Sequence, residues 1–396
     1  MLRRRRVREP IEDLSDPRPW NGNETMTTHI LAINSGSSSL KYALFESEEG
    51  TERQVVRGGI DRIGEVVPDH GVAVNTALDA LAEKGFPAPA AVGHRVLHGG
   101  ARFSAPALVD DALLDTLEEL VPLGPLHEPQ QILGIRAVAK RWPKLPQVAC
   151  FDTAFHRTMS EVAQRYAIPD DLCKDGIIRR YGFHGLSYEF IVSTVGADEL
   201  GSAVIAHLGA GSSLAAVRDG RCVDTTMGFT PTAGLVMGSR IGDSDPGLLL
   251  YLLDHGYDTE SLRELVTRRS GLIGVSGTTA DVRTLLANRT SDPRAALALD
   301  LFVWNARKWI GAMTASVGGI RTLVFTGGIG QHAAVLRSEI AAGLRHLGVI
   351  LDEERNAQSD RVISTDASPC RVLVVATDEE RMVVRHTRRV VTALRR

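Results

Sequence analysis

The stretch Ile30-Leu-Ala-Ile-Asn-Ser-Gly-Ser-Ser-Ser-Leu-Lys-Tyr-Ala-Leu44 decides the fold. Two short apolar runs flank a tip that carries one amide, four hydroxyls and Gly36, a pattern that predicts a β-hairpin with a polar turn. Glycine lets a ligand approach the backbone closely, and N–H and hydroxyl groups are donors that suit phosphate oxygens. Taken alone, the pattern fits an ordinary Ser/Gly turn with a surface lysine, Lys41, equally well.

A second copy of this pattern lies near the middle of the chain. Ala203-Val-Ile-Ala-His-Leu-Gly-Ala-Gly-Ser-Ser-Leu-Ala-Ala-Val217 again places a Gly/Ser tip between two apolar runs, and Ser212-Ser-Leu214 aligns with Ser38-Ser-Leu40. Chance explains two such hairpins in register poorly, and neither tip is a P-loop. The repeat predicts two homologous domains that each present a phosphate-gripping hairpin to a shared cleft.

The composition is that of an ordinary globular protein of two or three domains. The chain has 396 residues, 43% of them hydrophobic, a formal net charge of −3 and a pI near 6.5. This charge gives no reason to expect nucleic-acid or membrane binding, and no apolar run approaches the roughly 20 residues of a membrane span. Four scattered cysteines favour a reduced, cytoplasmic setting over a disulfide framework or a zinc site.

Residues 1–26 differ from the rest of the chain. A basic cluster at positions 3–6 is followed by Glu, Pro, Asp and Trp rather than by the apolar segment of a secretory signal. We expect a disordered N-terminal extension, with Met26 as the natural start of the protein. An intact mass showing that the native protein retains Met1 would contradict this expectation.

Polar side chains follow three predicted buried strands. Arg95 lies between two histidines at one strand end, residues 148–152 form a strand that ends on Asp152, and residues 371–376 lead into Thr377-Asp-Glu-Glu380. Ligand-handling groups of open α/β sheets lie beyond the carboxyl ends of strands. These groups are therefore candidates for an anion clamp and for Mg²⁺ ligation, although a helix N-cap is an alternative role for Asp152.

Glycine-rich segments supply the other candidate ligand contacts. Residues 225–239 carry no charge, and with Arg240 they predict a loop around a small ligand. A strand that ends in Gly327-Gly-Ile-Gly330 suits a nucleoside lying against bare backbone, and residues 271–283 predict a Gly/Ser turn before a helix. Helical patterns occur at 79–83, 110–120, 130–140, 246–253, 295–315 and the C-terminus.

Together these motifs resemble the acetate kinases, the acetokinase family within the sugar kinase, Hsp70 and actin superfamily, from residue 29 to the C-terminus. The matching passages are Asn34–Lys41, Gly93–Gly100, Phe151–His156, Tyr181–Gly185, His207–Ser213, Met227–Pro231, Gly238–Pro246, Gly328–Gly330 and Thr377–Glu380. The resemblance implies an α/β fold of duplicated ribonuclease-H-like domains around an interdomain cleft, with residues 27–152 plus 382–396 in one domain and 153–381 in the other. It also implies a homodimer that transfers a phosphoryl group reversibly between ATP and acetate, giving acetyl phosphate and ADP, with Mg²⁺ or Mn²⁺ as cofactor.

The resemblance assigns roles to individual residues. Asn34 and Glu379 match the magnesium site, and Lys41 matches a contact to the ATP phosphates. Arg95 and Arg240 match the pair that holds acetate and the transferring phosphoryl group. His184 matches a transition-state stabiliser and Asp152 the catalytic carboxylate. The acetate-methyl pocket is implied at Leu97, Leu126, Phe183 and Pro231. The nucleotide-binding segments are implied at His207, Leu208, Gly209, Ala210 and Gly211, at Asp281, Val282 and Arg283, and at Gly328, Ile329, Gly330, Gln331 and His332.

Acetate is already ionised at neutral pH, so the reaction needs no general base to make it nucleophilic. We therefore interpret Asp152 as a group that orients an arginine or the waters of Mg²⁺ rather than as one that removes a proton.

Four residues depart from the usual pattern of the family. Asn is usual where Ala210, Glu128 and His332 stand, and Val is usual where Leu97 stands. Ala210 and His332 leave the nucleotide base preference open. Glu128 adds a carboxylate near the cleft, and Leu97 should narrow the pocket in favour of acetate over propionate. A propionate or butyrate kinase, a chaperone-like or filament-forming ATPase, and an inactive nucleotide sensor are the alternatives.

Overall fold

The computed structural model describes residues 28–48 and 51–394, so the predicted extension at 1–26 and the proposed start at Met26 lie outside the described residues. The strands are β1 (Thr28–Ser35), β2 (Ser39–Glu48), β3 (Thr51–Asp61), β4 (Ala91–Val96), β5 (Ala107–Leu108), β6 (Gln147–Phe151), β7 (Ser202–His207), β8 (Ser213–Arg218), β9 (Arg221–Thr225), β10 (Thr322–Thr326) and β11 (Arg371–Val374). The helices are α1 (His70–Glu83), α2 (Asp111–Leu120), α3 (Glu128–Arg141), α4 (Glu161–Gln164), α5 (Gly185–Val195), α6 (Ala197–Leu200), α7 (Pro246–Asp254), α8 (Thr259–Glu264), α9 (Gly271–Ser276), α10 (Val282–Asn288), α11 (Pro293–Ser316), α12 (Gly327–His332), α13 (Ala334–Ala342), α14 (Glu353–Gln358) and α15 (Glu379–Ala393).

Two mixed sheets repeat one strand order. The first runs β3-β2-β1-β4-β6-β5 and the second runs β9-β8-β7-β10-β11. In each sheet a meander of three antiparallel strands is followed by two strands parallel to the first of the three. The β1–β2 and β7–β8 hairpins occupy equivalent places, which confirms the predicted duplication.

The C-terminal helix α15 packs on the first sheet, because a face with Met382, Val383 and Val391 is buried against strand residues such as Ile30 and Ala32. A glycine permits this contact: a Cβ atom added at Gly93 in β4 would lie 2.2 Å from Thr387 Oγ1. The packing supports the assignment of residues 382–396 to the N-terminal domain. The domain boundaries stay a prediction.

Most predicted helices and strands are present, and two of the predicted segments differ in type or extent. Residues 271–276, predicted as a turn, form α9; a Cβ at Gly271 (φ +62°) would lie 2.2 Å from the carbonyl oxygen of Met237, so this glycine serves close packing. The helix predicted at 79–83 begins earlier, at His70, where Asp69 accepts a hydrogen bond from the Val72 N–H. The described segment 226–245 contains neither helix nor strand, as predicted for a ligand loop.

None of the described helices is long and apolar enough to cross a membrane. All four cysteines are buried as free thiols.

Candidate active site

Lys41, Asn34 and Arg95 lie side by side on three neighbouring strands. The β1–β2 register pairs Asn34 with Lys41, and the β1–β4 register pairs Asn34 with Arg95. Arg95 Nη1 donates a hydrogen bond to Asn34 Oδ1 at 3.1 Å. Strand β6 is parallel to β4, so Asp152, directly after β6, meets Arg95 at the same sheet edge. The first sheet therefore gathers four of the predicted site residues.

Arg95 is ion-paired to two carboxylates. Its Nη2 lies 2.5 Å from Asp152 Oδ2, and its Nε lies 3.6 Å from Glu379 Oε2. Burial alone would lower the pKa of Arg95, but Asp152 and Glu379 outweigh that effect and raise it. Burial also raises the pKa of Glu379, against the attraction of Arg95 and Lys41. The side chain of Asp152 is fully buried against Arg95, so the alternative role as a helix cap is not what the structure shows.

Arg240 contrasts with Arg95, because none of the described carboxylates forms an ion pair with it. Its Nη1 donates to the carbonyl oxygen of Pro231 at 3.1 Å and lies 3.8 Å from Met237 Sδ. Burial, and to a smaller extent the charge of Arg95, lower the pKa of Arg240 to about 10. A half-buried guanidinium without a carboxylate counter-ion is prepared to receive an anion.

The backbone of His184 is held in place from both sides. The residue is left-handed (φ +57°) and directly precedes α5. On one side His156 Nε2 donates to the carbonyl oxygen of Phe183 at 2.9 Å; on the other the Gly185 N–H donates to the carbonyl oxygen of Asp152 at 3.0 Å. A Cβ at position 185 would lie 2.0 Å from that oxygen, so only glycine permits the contact.

The ring of His184 stacks on His207, with ring centroids 4.2 Å apart. Its Nδ1 is hydrogen-bonded to Ser213 Oγ at 2.9 Å. Burial and the nearby charges of His207, Arg95 and Arg240 lower the pKa of His184 well below its usual value. The imidazole is therefore neutral at physiological pH.

A cavity of about 190 Å³ lies beside Arg240, between loops of the two halves. Three of the four residues implied for the acetate-methyl pocket line this cavity, namely Leu97, Leu126 and Pro231. Phe183 does not; it packs behind Leu97 in a buried apolar cluster. The other lining residues are Pro122, Leu123, Gly124, Pro125, His127, Thr230, Thr232, Arg263, Val266 and Thr267. Burial, and to a smaller extent the charges of Arg240 and Arg95, lower the pKa of His127 to about 3.

The three predicted nucleotide-binding segments meet beside Gly238. The Gly238 N–H donates to the carbonyl oxygen of Ala210 at 2.9 Å, and a Cβ at 238 would lie 3.4 Å from that of Ala280. The N–H groups of Ile329 and Gly330 donate to the carbonyl oxygen of Leu208 at 2.8 and 3.1 Å. The segments 207–211 and 327–332 are thus in direct contact, and segment 281–283 begins next to Gly238; together they outline the surface of the candidate nucleotide site.

At the edges of this surface, Asp281 caps α10 and pairs with the exposed Arg283, and the side chain of His332 is also exposed. An added Cβ at Gly328 would meet no described atom within 4 Å, so the backbone there is accessible.

The predicted magnesium residues offer only hard oxygen donors. Asn34 Oδ1 and Glu379 Oε2 both face Arg95, and the described residues contain no group of three His, Cys, Asp or Glu able to hold a metal by themselves. Mg²⁺ commonly takes one or two carboxylates and completes its shell with water and substrate phosphates. The donor set therefore fits an ion that is bound together with a nucleotide.

Sequence reasoning did not identify several residues of the site. His127 lines the cavity, and Ser213 and Tyr188 support His184. Arg337 is fully buried and donates to the carbonyl oxygens of Gly330 and Gln331 at the end of α12. An arginine in the apolar pattern of α13 was a usable signal for the last of these.

Glu128 lies behind the cavity wall and is fully buried. Its Oε1 accepts a hydrogen bond from the His98 N–H at 2.7 Å, while its Oε2 has no partner in the described part of the chain. Burial raises the pKa of this carboxyl to about 8, although the His98 N–H opposes the shift. The predicted extra carboxylate is therefore a largely neutral acid at pH 7 and is not among the cavity-lining residues.

Replacing Glu128 with glutamine is expected to stabilise the protein increasingly as pH rises from about 4.5 to about 8. The folded pKa of about 8 exceeds the ordinary 4.5, so the folded state keeps a proton that the unfolded chain releases. Stability is therefore lost as pH rises through that window. Urea unfolding should show nearly equal stabilities at pH 4, below both pKa values, and a gain of at least about 1 kcal/mol for Glu128→Gln at pH 8.5.

The control for this experiment is Glu119→Gln at an exposed ion pair, which should show no such pH-dependent gain. A Glu128→Gln protein that is less stable than wild type at pH 8.5 would contradict the assignment of a buried, protonated acid.

Comparison with known proteins identifies the relatives of this fold. The model of the acetokinase family matches residues 29–385. The acetate kinase of Arthrobacter sp. (strain FB24) is 46% identical over 383 residues, covering 91% of this chain and 98% of that relative. The crystal structure of Porphyromonas gingivalis acetate kinase has a TM-score of 0.83 at 34% identity, covering 92% of this chain and 100% of that one. A propionate kinase from Francisella tularensis subsp. tularensis SCHU S4 also has a TM-score of 0.83, at 33% identity and the same coverage.

Two sheets of one strand order, with arginines, histidines and carboxylates meeting between them, define a phosphotransferase built from duplicated ribonuclease-H-like halves. The chain belongs to the acetokinase family. The predicted resemblance and fold class are thereby confirmed.

Proposed function

We propose that this protein is a cytoplasmic enzyme that transfers the γ-phosphoryl group of ATP reversibly to acetate, giving acetyl phosphate and ADP. The observation that carries the proposal is the pairing of an uncompensated guanidinium, Arg240, with a small apolar cavity lined by Leu97 and Pro231. A short-chain carboxylate needs both a cation for its charged end and an apolar wall for its alkyl end.

Positioning and charge neutralisation supply most of the catalysis in phosphoryl transfer. Acetate would place its methyl group against the cavity wall and its carboxylate at Arg240, whose fork matches two oxygens. The phosphoryl group would lie between Arg95, Arg240 and His184, where negative charge develops. Lys41 and the backbone surface around Gly209 and Gly328 would hold the rest of the nucleotide.

Asn34 and Glu379 would hold Mg²⁺ near the phosphates. When bound, the ion neutralises phosphate charge and orients the donor. Asp152 would act by fixing the Arg95 fork, since its oxygens contact Arg95 Nε and Nη2. This role needs no proton removal from an already ionised acetate.

A coupled assay tests the proposal. Acetate, propionate and butyrate are each supplied with ATP or GTP and Mg²⁺, and ADP or GDP formation and acyl phosphate are measured. Acetate-dependent formation of ADP and acetyl phosphate is expected; the absence of turnover with every acid would overturn the proposal. The same experiment separates an acyl kinase from a chaperone-like ATPase, whose hydrolysis would not depend on the acid.

The chain should prefer acetate to propionate, because Leu97 fills the cavity more than the valine usual in the family. One methylene in an apolar pocket changes kcat/KM by about 10-fold or more. Leu97→Val is therefore expected to raise the propionate-to-acetate ratio of kcat/KM by about 10-fold. Wild-type kcat/KM for propionate equal to or above that for acetate would contradict this prediction.

We also propose that the protein is a homodimer formed through an apolar surface on α7 and α11. Leu250 and Tyr251 of α7 are 62% and 57% exposed, and Trp304 of α11 is 67% exposed. An ion pair between Lys308 Nζ and Asp243 Oδ2 (3.5 Å) connects α11 to the loop before α7. Exposed apolar patches of this kind mark protein interfaces. In a symmetric dimer, the α7–α11 surface of each copy would be covered by that of the other.

Light scattering after size exclusion measures this assembly directly. Wild type should elute with the mass of two chains. Trp304→Glu should give monomers, because the substitution places a charge where the proposed dimer would bury an aromatic side chain. Val162→Glu, at an exposed residue of α4, is the control and should leave the mass unchanged. A monomeric wild type would rule the homodimer out.

A further inference from the structure

The hydroxyl groups behind His184 form a short chain whose direction can be worked out. Tyr188 Oη lies 2.5 Å from Ser213 Oγ, and Ser213 Oγ lies 2.9 Å from His184 Nδ1. Tyr188 and Ser213 are completely buried, so water does not compete for these bonds. Each hydroxyl carries one hydrogen, which fixes how many bonds each can donate.

The phenolic hydrogen of Tyr188 has one available acceptor. Among the residues that the structure describes, Ser213 Oγ is the sole hydrogen-bond partner of the Tyr188 hydroxyl. If Ser213 donated to Tyr188 instead, the phenolic hydrogen would be buried without an acceptor, at a cost of about 1–3 kcal/mol. Tyr188 therefore donates to Ser213, and Ser213 is left to donate its own hydrogen to His184 Nδ1.

We propose that Tyr188 and Ser213 are positioning residues that hold His184 as the Nε2–H tautomer, with Nε2 as a hydrogen-bond donor toward the transferring phosphoryl group. The direction of Nε2 supports this: a Cβ added at Gly211 would lie 3.3 Å from His184 Nε2 and 3.5 Å from Arg240 Nη1. The neutral ring and the guanidinium thus face the same space. A proton on Nδ1 would instead present a lone pair to negatively charged oxygens, which is repulsive.

The rest of the surroundings keep the ring in place without specifying its tautomer. The stacked ring of His207 is held by a separate hydrogen bond, between Ser187 Oγ and His207 Nδ1 at 2.9 Å. His156 packs edge-on against Tyr188 and donates to the Phe183 carbonyl oxygen. The tautomer of His184 therefore depends on the hydroxyl pair.

The inference rests on the proposed function only for its kinetic consequence, so its first test uses the free protein. Two-dimensional ¹⁵N NMR of the histidine rings reports which nitrogen carries the proton, and His184→Gln identifies the His184 signals. We expect protonated-type Nε2 and unprotonated-type Nδ1 signals in wild type. In Ser213→Ala the hydroxyl that donates to Nδ1 is gone, and a measurable Nδ1–H population should appear. A wild-type Nδ1–H tautomer would overturn the proposal even if the enzyme is active.

The second test is a double-mutant cycle on turnover. Tyr188→Phe and Ser213→Ala should each lower kcat about tenfold, equivalent to 1.4 kcal/mol, with the KM for ATP changed less than about twofold. In a His184→Ala background, Tyr188→Phe should change kcat by less than about twofold, because the group through which it acts is gone. An undiminished tenfold loss in that background would show a structural role and overturn the proposal.

Tyr181→Phe is the matched control, since this buried tyrosine donates to the carbonyl oxygen of Ile177 rather than to a histidine pair. It should leave both the His184 signals and kcat as in wild type. If the wild-type enzyme turns over no acid, the proposed function fails, whereas the NMR result still decides the tautomer.

Discussion

Arg240→Ala is expected to lower kcat by on the order of 10³-fold or more, the loss seen when a charge-stabilising arginine is removed from a phosphoryl-transfer site. Arg240 is the guanidinium of the site without a carboxylate partner in the described chain, so its charge is available to the reacting groups. Alanine removes that charge where the transition state needs it most.

Arg240→Lys should recover little of this activity. Lysine restores a positive charge but offers a compact ammonium in place of a planar fork, so it cannot contact a carboxylate and a phosphoryl oxygen in the same geometry. Turnover measured with saturating ATP and acetate distinguishes the two variants. A lysine variant within about tenfold of wild type would mean that charge alone, and not the fork, carries the effect.

Folding stability provides an independent check on Arg240. The pKa of Arg240 is lowered by burial, which means that the folded protein holds this charge at a cost. The melting temperature of the ligand-free Arg240→Ala protein should therefore equal or exceed that of wild type. A large drop in melting temperature would reassign Arg240 to a structural role. Arg53→Ala, at an exposed pair with Glu46, serves as the control for arginine removal.

Arg95→Ala should behave in the opposite way and destabilise the protein by about 3–5 kcal/mol. Arg95 neutralises the fully buried Asp152 and lies beside Glu379, so its removal leaves carboxylate charge in a site shielded from water. Urea unfolding at neutral pH measures the loss. The expected loss of activity would then accompany a loss of stability, unlike that of Arg240→Ala.

A second substitution separates the two contributions of Arg95. In Arg95→Ala/Asp152→Asn the buried charge of Asp152 is gone, and part of the stability should return. Residues 95 and 152 are in contact, so the effects of the two substitutions are not additive. Activity should remain low. If the double variant were less stable than Arg95→Ala by the full effect of a separate Asp152→Asn change, the ion pair would not be the source of the loss.

The hairpin repeat was readable in the chain because it depends on local chemistry. Apolar runs on either side of Gly36 and of Gly211 specify strands and a tight polar tip through contacts between near neighbours. The same holds for Asp152, since a carboxylate after a buried strand predicts its place at the sheet edge. Strand β3 was not predicted, because Glu52, Arg53 and Arg57 interrupt its apolar pattern at the edge of the sheet.

The charge balance of the site could not be read from the sequence. Two arginines of identical chemistry differ because Asp152 and Glu379, distant in the chain, fold against one and leave the other unpaired. Glu128 was likewise expected to add a carboxylate near the cleft, and burial makes it a largely neutral acid.

By itself the sequence determined the duplicated α/β fold and, through its motifs, the family, because strand patterns and turn chemistry are properties of short segments. Only the tertiary structure decided the protonation of Glu128, the carboxylates that Arg95 binds and the contacts from which the direction of the hydroxyl chain behind His184 is inferred. Desolvation and hydrogen-bond counting depend on groups brought together from distant parts of the chain, and those contacts exist only after folding.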